Sequence, residues 1–360
     1  MNIIFRVDAN DYIGAGHLIR CLRLAKSLDS HAKNILFISR NLPIKFQDLI
    51  YKNNFDFESM SGKEDDYFNK NKSSTWLGVN SQKDAEDCIK ILNKKKEKWD
   101  LLVIDHYGID VKWEKLFKKI VSKIMVIDDL ANRNHSCDIL LDQNFEDQQR
   151  YKGLASNNSE FLLGPKYALL SKDYINSRKD TYFRKNPIKK LLVFFGGIDE
   201  YNLTNMTVQA IIDTNIKFSN IDIVLSKDSC NFAELNKKCE FIDEVNIFSD
   251  IPSLCPLVKN ADLCIGAGGS STWERMCLGL PSIVITVAKN QVPISKKLND
   301  EGLIFLIGSH KNISSEHIKN QILKISSKID IHTISKKCMN ICHGDGVERV
   351  KNKIVMQNFE

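Results

Sequence analysis

Long hydrophobic runs are missing from this 360-residue sequence. No apolar stretch approaches the ~18 residues that a membrane-spanning helix requires. The N-terminal apolar run at 2–7 is short and already contains Arg6, whereas a secretory signal has a longer apolar core. We therefore expect a cytoplasmic protein without a membrane partner.

The sequence also has no C-x-x-C pair, although it contains ten cysteines. Most of them lie in apolar runs, as Cys264 and Cys277 do, where a thiol usually behaves as a small buried hydrophobe. Cys338, Cys342 and His343 lie close together, but their spacing fits no standard zinc pattern. The sequence therefore predicts free thiols in a reducing compartment and no metal site.

Basic stripes interleaved with aromatic residues, which are typical of nucleic-acid-binding surfaces, are absent as well. The net charge of +6 is mild. It either favours an anionic ligand slightly or reflects an abundance of lysine along the whole chain. With 43% hydrophobic and 27% charged residues, the composition is that of globular domains, and we expect no nucleic-acid partner.

What the sequence does contain is a regular alternation of short apolar runs with longer amphipathic stretches. In the first half it predicts strands at 2–7, 35–38, 101–104 and 124–127, and helices at 17–28 and 111–121. After residue 187 the pattern restarts, with predicted strands at 191–195, 221–225, 263–265 and 282–287, and helices at 202–213 and 271–278. Such alternation is typical of parallel sheets with crossover helices.

The predicted fold class is therefore α/β, with two Rossmann-like doubly wound domains. We expect the N-terminal domain at 1–180 and the C-terminal domain at 187–360, joined by a polar linker at about 175–190. In doubly wound domains, ligands bind outside the carboxyl ends of the strands. We therefore expect the ligand in a cleft that the two domains face.

The first candidate site is the loop between the first predicted strand and helix. Gly14 and Gly16 let the backbone approach a ligand closely, and His17 follows at the start of the helix. A dinucleotide fingerprint would need a third glycine where Ile19 stands, which argues against nicotinamide binding. A helix N-terminus disfavours the imidazolium form, so His17 suits a general base. The alternative is a capping or core histidine.

The second candidate site is a glycine- and hydroxyl-rich loop that follows the strand at 263–265. Small residues at a helix start make a good cradle for a diphosphate. Glu274, in the first turns of that helix, could accept both hydroxyls of a ribose, or it could form a capping box with Ser271. The residues that we expect to bind substrate in this loop are Gly268, Gly269, Ser270, Ser271 and Thr272.

Four further loops follow predicted strands. Gly197 belongs to a possible second phosphate loop or to an ordinary turn, and Tyr107 could contact a sugar. Asp128 and Asp129 are either an acid/base pair or, more often, a turn or cap. Asn290, in the segment Lys-Asn-Gln, could fix a polar ligand or lie in a solvated turn.

The order of these segments resembles one known family. It is seen in FRVDANDYIGAGH, VIDHYGID, VIDDLANR, LLDQN, LLGPKYALL, LLVFFGGID, GAGGSSTWE and KNQ. Together they are similar to the UDP-2,4-diacetamido-2,4,6-trideoxy-β-L-altropyranose hydrolases of pseudaminic acid biosynthesis (the PseG family). The resemblance implies two Rossmann-like domains in the GT-B arrangement of MurG-type glycosyltransferases.

The resemblance also implies an activity. Water would attack the anomeric carbon, the C–O bond would break with inversion, and UDP and the sugar would leave without help from a metal or cofactor. The product would serve pseudaminic acid synthesis for cell-surface glycans, including those on flagellin. Carried over position by position, the base matches His17, the sugar-side tyrosine Tyr107, the nucleotide contact Glu274, and the residue near sugar and phosphate Asn290.

Three points stay open at this stage. Asp8 is one hypothesis for the group that orients His17. A glycosyltransferase of the same fold that uses a UDP-amino-sugar donor, or a nucleotide-sugar-binding protein without activity, would carry the same binding loops. We expect a monomer, for which the sequence offers no direct signal.

Overall fold

The computed structural model of the protein describes residues 1–10, 12–60, 62, 68–69 and 72–357. They form two compact units. Unit 1 consists of Met1–Leu170 together with the segment that begins at Asp345, and unit 2 consists of Ser171–Gly344. The last helix of the chain therefore belongs to the same unit as the first strand.

Unit 1 contains a seven-stranded parallel sheet in the order β3-β2-β1-β4-β5-β6-β7. The strands are β1 (Asn2–Val7), β2 (Asn34–Arg40), β3 (Asp56–Met60), β4 (Trp99–Asp105), β5 (Val121–Ile127), β6 (Ile139–Asp142) and β7 (Glu160–Leu163). In this doubly wound sheet the strand order reverses between β1 and β4, and ligands bind at the carboxyl ends of such neighbouring strands.

Helices cover both faces of this sheet, because its central strands are apolar on both sides. They are α1 (Gly16–Leu28), α2 (Ile44–Lys52), α3 (Ser81–Lys95), α4 (Val111–Phe117) and, from the end of the chain, α13 (Gly346–Val355). Helix α1 buries Leu18, Cys21, Leu22 and Ala25, whose spacing puts them on one face. That face packs in a common core with the buried side chains of α13.

Unit 2 repeats the design with a six-stranded parallel sheet in the order β10-β9-β8-β11-β12-β13. The strands are β8 (Lys190–Phe194), β9 (Asn220–Val224), β10 (Val245–Phe248), β11 (Leu263–Ala267), β12 (Ser282–Thr286) and β13 (Phe305–Ser309). The helices are α5 (Lys172–Arg178), α6 (Leu203–Asp213), α7 (Phe232–Cys239), α8 (Cys255–Asn260), α9 (Ser271–Cys277), α10 (Gln291–Asp300), α11 (Ser315–Lys328) and α12 (Ile331–Ile341). The predicted class, two doubly wound α/β units, is confirmed.

The observed division of the chain differs from the expected one. The segment at 175–190, predicted to be a linker, packs within unit 2 instead: it begins inside α5, and Arg184 is fully buried. Arg184 donates hydrogen bonds to the carbonyls of Val258, Lys259, Ala261 and Leu278. The polar composition suggested a linker, yet Arg184 caps the C-terminal ends of α8 and α9.

Three further findings complete the fold. The helix predicted at 111–121 ends at Phe117, because Val121 already begins β5. Across the described residues, no helix is both long and apolar enough to cross a membrane. All ten cysteines are free thiols, and among them only Cys230 is exposed.

Candidate functional site

His17 is the second residue of α1, which starts where the loop after β1 ends. Gly14 in that loop has a positive φ of 80°, a conformation that favours glycine, and its N–H donates to the Asn10 carbonyl at 2.7 Å. Gly16 is exposed at the first position of the helix. The His17 side chain is 10% exposed, so it lies just beneath the surface of unit 1.

Asp105 orients the His17 ring. Its Oδ1 lies 2.6 Å from His17 Nδ1, at the point where β4 ends. Burial raises the pKa of Asp105, but the Arg20 guanidinium and His17 oppose that effect and bring it well below its usual range. An ionised carboxylate only accepts hydrogen bonds, so His17 Nδ1 must carry the proton. The Nε2 atom of a neutral His17 then has the lone pair that can accept a proton from water.

Arg20 holds the other side of Asp105. Its Nε donates to Asp105 Oδ2 at 2.6 Å and its Nη2 to Asp105 Oδ1 at 2.7 Å. Its Nη1 donates to Asp129 Oδ2 at 2.8 Å. Burial lowers the pKa of Arg20, whereas the carboxylates of Asp105 and Asp129 raise it well above its usual value, so the guanidinium stays charged.

Tyr107 lies against His17. The rings of Tyr107 and His17 meet edge to face, and the Tyr107 hydroxyl donates to Asp129 Oδ2 at 2.7 Å. Burial and the nearby Asp129 carboxylate raise the pKa of Tyr107 well above 10, so the phenol stays protonated. Asn144 donates to the second oxygen of Asp129 at 2.8 Å. The structure thus brings two of the expected site residues, His17 and Tyr107, into contact.

The hypothesis that Asp8 orients His17 is wrong. Both oxygens of Asp8 bind the buried Arg6 guanidinium, at 2.6 and 3.0 Å, and His106 Nε2 lies 3.3 Å from Asp8 Oδ2. His106 accepts a hydrogen bond from the Gly108 N–H through Nδ1, and burial lowers its pKa. His106 is therefore a hydrogen-bonded loop histidine.

The neighbouring carboxylates Asp128 and Asp129 have different partners. Asp128 accepts from the Leu130 and Ala131 N–H groups and from Arg133, which is the pattern of a turn cap. Asp129 instead accepts hydrogen bonds from Arg20 and Tyr107, which both lie next to His17. The adjacent pair is therefore not a shared acid/base site, and only its second member belongs to the His17 cluster.

In unit 2 the expected phosphate loops follow neighbouring strands. Gly197 follows β8, the Gly/Ser loop follows β11, and Asn290 follows β12, so all three loops lie at one edge of the sheet. A Cβ on Gly197 would meet nothing within 4 Å, so its surface is open to a ligand. A Cβ on Gly268 would overlap the Ser295 hydroxyl on α10, which explains the need for glycine there.

The remaining loop residues differ in exposure. Ser270 and Asn290 are exposed, and Gly269 and Ser271 are partly so. Thr272 and Glu274 are only 4% and 6% exposed. The Arg275 guanidinium donates to the Ser271 and Thr272 hydroxyls at 3.1 and 3.0 Å and thereby fixes the loop. Gly269 also lies beside the Gln291 side chain, so the Gly/Ser loop and the Lys-Asn-Gln segment are adjacent.

Sequence reasoning missed three members of the His17 cluster, namely Asp105, Arg20 and Asn144, and it named Asp129 only as half of an acid/base pair or a turn. One signal was available: Arg20 stands three residues after His17, a spacing that puts two helical side chains on the same face. In the described part of the chain, no group of three or more His, Cys, Asp or Glu side chains could hold a metal ion.

Comparison with known proteins agrees with the motifs. Residues 191–344 match the glycosyltransferase family 28 C-terminal domain. The chain is 27% identical over 305 residues to the UDP-2,4-diacetamido-2,4,6-trideoxy-beta-L-altropyranose hydrolase of Campylobacter jejuni, a match that covers 84% of this chain and 97% of that protein. The resemblance seen in the sequence is confirmed.

Two solved structures have the same fold. MurG of Acinetobacter baumannii superposes with a TM-score of 0.67 at 11% identity, covering 99% of this chain and 100% of that one. The UDP-GlcNAc 2-epimerase of Neisseria meningitidis, bound to UDP-GlcNAc, has a TM-score of 0.65 at 9% identity, with 99% and 100% covered. The fold class is thus that of GT-B enzymes, as the sequence predicted.

Proposed function

We propose that this protein hydrolyses UDP-2,4-diacetamido-2,4,6-trideoxy-β-L-altropyranose to UDP and 2,4-diacetamido-2,4,6-trideoxy-L-altrose, with His17 as general base. The observation that carries the proposal is the bond between His17 Nδ1 and the ionised Asp105 carboxylate. The match to the Campylobacter jejuni hydrolase, which extends over nearly all of that protein, supports the choice of substrate.

His17 Nε2 removes a proton from a water molecule as the water oxygen bonds to the anomeric carbon. Asp105 then lies against the imidazolium that forms and stabilises its charge, in the way that a carboxylate supports histidine in hydrolytic triads. General-base assistance of this kind contributes about 10²–10⁴-fold to a rate. Attack from the side opposite the leaving group inverts the configuration of the anomeric carbon.

The bond that breaks joins the anomeric carbon to the β-phosphate oxygen, and its electron pair leaves with UDP. Because a diphosphate is already a good leaving group, the reaction needs no strong general acid. Backbone N–H groups of the loop at 268–272 would stabilise the charge on the diphosphate, which is why we include no metal in the mechanism. His17 later returns its proton to solvent.

Other residues would bind the substrate. We assign the sugar to Tyr107 beside the base and to Asn290, the ribose to Glu274, and the phosphates to the loops that contain Gly197 and Gly268. Gly14 and Gly16 would let the α1 loop approach the sugar closely.

Glycosyl transfer is the second candidate. The match to a glycosyltransferase family 28 domain and the MurG-like fold favour it. In that case His17, supported by Asp105, would deprotonate an acceptor hydroxyl in place of water. A transferase releases UDP only when an acceptor is added, whereas the hydrolase that we propose releases UDP and sugar in plain buffer.

One experiment tests the main proposal directly. Purified protein is mixed with the UDP-diacetamido sugar in ¹⁸O-labelled water and followed by time-resolved NMR. We expect UDP and the inverted anomer to appear first, with the label on the sugar and none on the phosphate. Label on the phosphate, retained configuration, or dependence on an added acceptor would overturn the proposal.

A further inference from the structure

Arg20 is buried beside His17, and the proposed mechanism gives it no role. It lies one turn after His17 on α1, and its side chain is 6% exposed. Its guanidinium donates to both oxygens of Asp105 and to one oxygen of Asp129. One side chain thus joins the carboxylate of Asp105, at the end of β4, to that of Asp129, in the loop after β5.

The hydrogen bonds on Asp105 Oδ1 link Arg20 to the base. This oxygen accepts from His17 Nδ1 at 2.6 Å and from Arg20 Nη2 at 2.7 Å, and the two donor atoms are 3.2 Å apart. The direction of the His17 bond therefore depends on where Arg20 holds the carboxylate. A carboxylate released from Arg20 could rotate and offer His17 a different geometry.

We propose that Arg20 is a positioning residue for the proposed hydrolysis: it fixes Asp105 so that His17 keeps its proton on Nδ1 and accepts the proton of water on Nε2. This inference rests on the proposed function of His17. A second role follows from charge. The positive charge of Arg20 offsets the negative charge of Asp105. Without that offset, the carboxylate would stabilise the imidazolium, and His17 would already be protonated before it could accept a proton from water.

The charged and titratable groups around His17 include two carboxylates but only one cation among the described contacts. Arg20 comes from α1, Asp105 and Tyr107 from β4 and the loop that follows it, and Asp129 from the loop after β5. In the described part of the chain, Arg20 is the only positively charged side chain in this group. Without Arg20, the charged side chains in this cluster are the carboxylates of Asp105 and Asp129, and both favour a protonated ring, whereas the Tyr107 phenol is neutral.

Arg20→Gln tests the proposal by kinetics. We expect kcat at pH 7 to fall about 30-fold or more while KM changes less than about threefold, since the residue acts on the base and not on the substrate. We also expect the acidic limb of the kcat profile to move to higher pH, so that activity partly recovers at pH 9. An unchanged kcat and pH profile would overturn the proposal.

Arg20→Lys separates charge from geometry. Lysine keeps the positive charge but cannot bind both oxygens of Asp105 in a fixed fork. We expect the acidic limb to return to its original pH while kcat stays about tenfold or more below that of the unmodified enzyme. Full recovery of kcat with lysine would show that the fork does not position the base, and it would overturn that part of the proposal.

Arg6→Gln is the matched control. Arg6 is also a buried arginine of unit 1 that bridges two carboxylates, Asp8 and Asp84, but it has no contact with His17. After normalising kcat to the folded fraction from thermal unfolding, we expect Arg6→Gln to keep the original pH profile. If both variants move the acidic limb alike, Arg20 serves stability alone.

A measurement without substrate keeps this test independent of the proposed reaction. In protein labelled with ¹⁵N-histidine, the ring nitrogen shifts report which atom carries the proton. We expect His17 to be protonated on Nδ1, and we expect a larger imidazolium fraction at pH 7 in Arg20→Gln. A ring protonated on Nε2, or a titration that Arg20→Gln leaves unchanged, overturns the role of Arg20. Failure to hydrolyse the UDP-sugar would overturn the proposed function alone.

Discussion

The imidazole of His17 stands edge-on to the ring of Tyr107, with centroids 4.6 Å apart and planes at 85°. The Tyr107 hydroxyl and Arg20 Nη1 donate to the same oxygen of Asp129, at 2.7 and 2.8 Å. Contacts therefore run in a closed ring through His17, Asp105, Arg20, Asp129 and Tyr107. A change in any one of these side chains is felt by its two neighbours in the ring.

Replacing the base should stop the chemistry while substrate binding persists. For His17→Asn we expect kcat to fall at least about 100-fold, because asparagine cannot accept the proton of water, and the Kd for UDP to stay within about threefold. Steady-state kinetics and calorimetry measure these quantities. His106→Asn is a suitable control, since His106 contacts Asp8 instead. Near-normal turnover in His17→Asn would mean that another group activates water.

Asp105→Asn should impair both catalysis and stability. An asparagine amide can donate to His17 Nδ1 and move the ring proton to Nε2, which removes the acceptor; we expect kcat to fall about 10²–10⁴-fold. Arg20 also loses one of its two buried carboxylate partners, so we expect about 3–5 kcal/mol less free energy of unfolding in urea titrations. A fully active Asp105→Asn enzyme would contradict the role of the dyad.

The phenol of Tyr107 can be tested apart from its ring. Tyr107→Phe removes the donor to Asp129 but keeps the contact with His17, so we expect a loss in kcat/KM of about threefold to tenfold. Tyr107→Ala removes both and should lose about 100-fold. Equal losses in the two variants would assign the whole effect to the hydroxyl.

The stability of unit 1 should depend on pH through Asp142. Burial, together with the nearby Asp129 carboxylate, raises the pKa of Asp142 from 3.8 to about 7. A carboxyl with a raised pKa in the folded state binds a proton more tightly there, so its contribution to stability declines as pH rises from about 4 to about 7. Asp142→Asn should therefore compare more favourably with the unmodified protein at pH 8 than at pH 5 in urea unfolding. The opposite order would contradict the raised pKa.

Chelation should leave the reaction unchanged, because the proposed mechanism stabilises the diphosphate with backbone N–H groups instead of a metal ion. The measurement is the initial rate of UDP release before and after treatment with excess EDTA. Inactivation that a divalent cation reverses would show that the diphosphate is bound in a different way.

The central strands were the predictable part of the fold. Strands β1, β4, β5 and β8 are buried on both faces, so each leaves a continuous apolar run in the sequence. Edge strands such as β3 and β10 have partly exposed residues and no such run, and they were not predicted. The return of α13 to unit 1 could not be foreseen either, because it depends on packing between distant segments.

The candidate site likewise has parts that could be predicted from the sequence and parts that could not. The loops with Gly14, Gly197 and Gly268 could be found because glycines after an apolar run are a local signal. The partner of His17 could not be found, since Asp8 directly follows β1 and Asp105 ends β4, so both lie at the switch point between these two strands. Only the directions of the side chains, which alternate along each strand, decide that Asp105 contacts the base.

The packing of α13 against α1 has a consequence for biosynthesis. The helix that bears the base is covered by Val347, Val350 and Ile354, which leave the ribosome after all of unit 2. Unit 1 is thus the first part of the chain to be translated and the last to be completed. Shortening the protein at its C-terminus, by a stop codon or a protease, would damage unit 1, which holds His17 at the opposite end of the sequence.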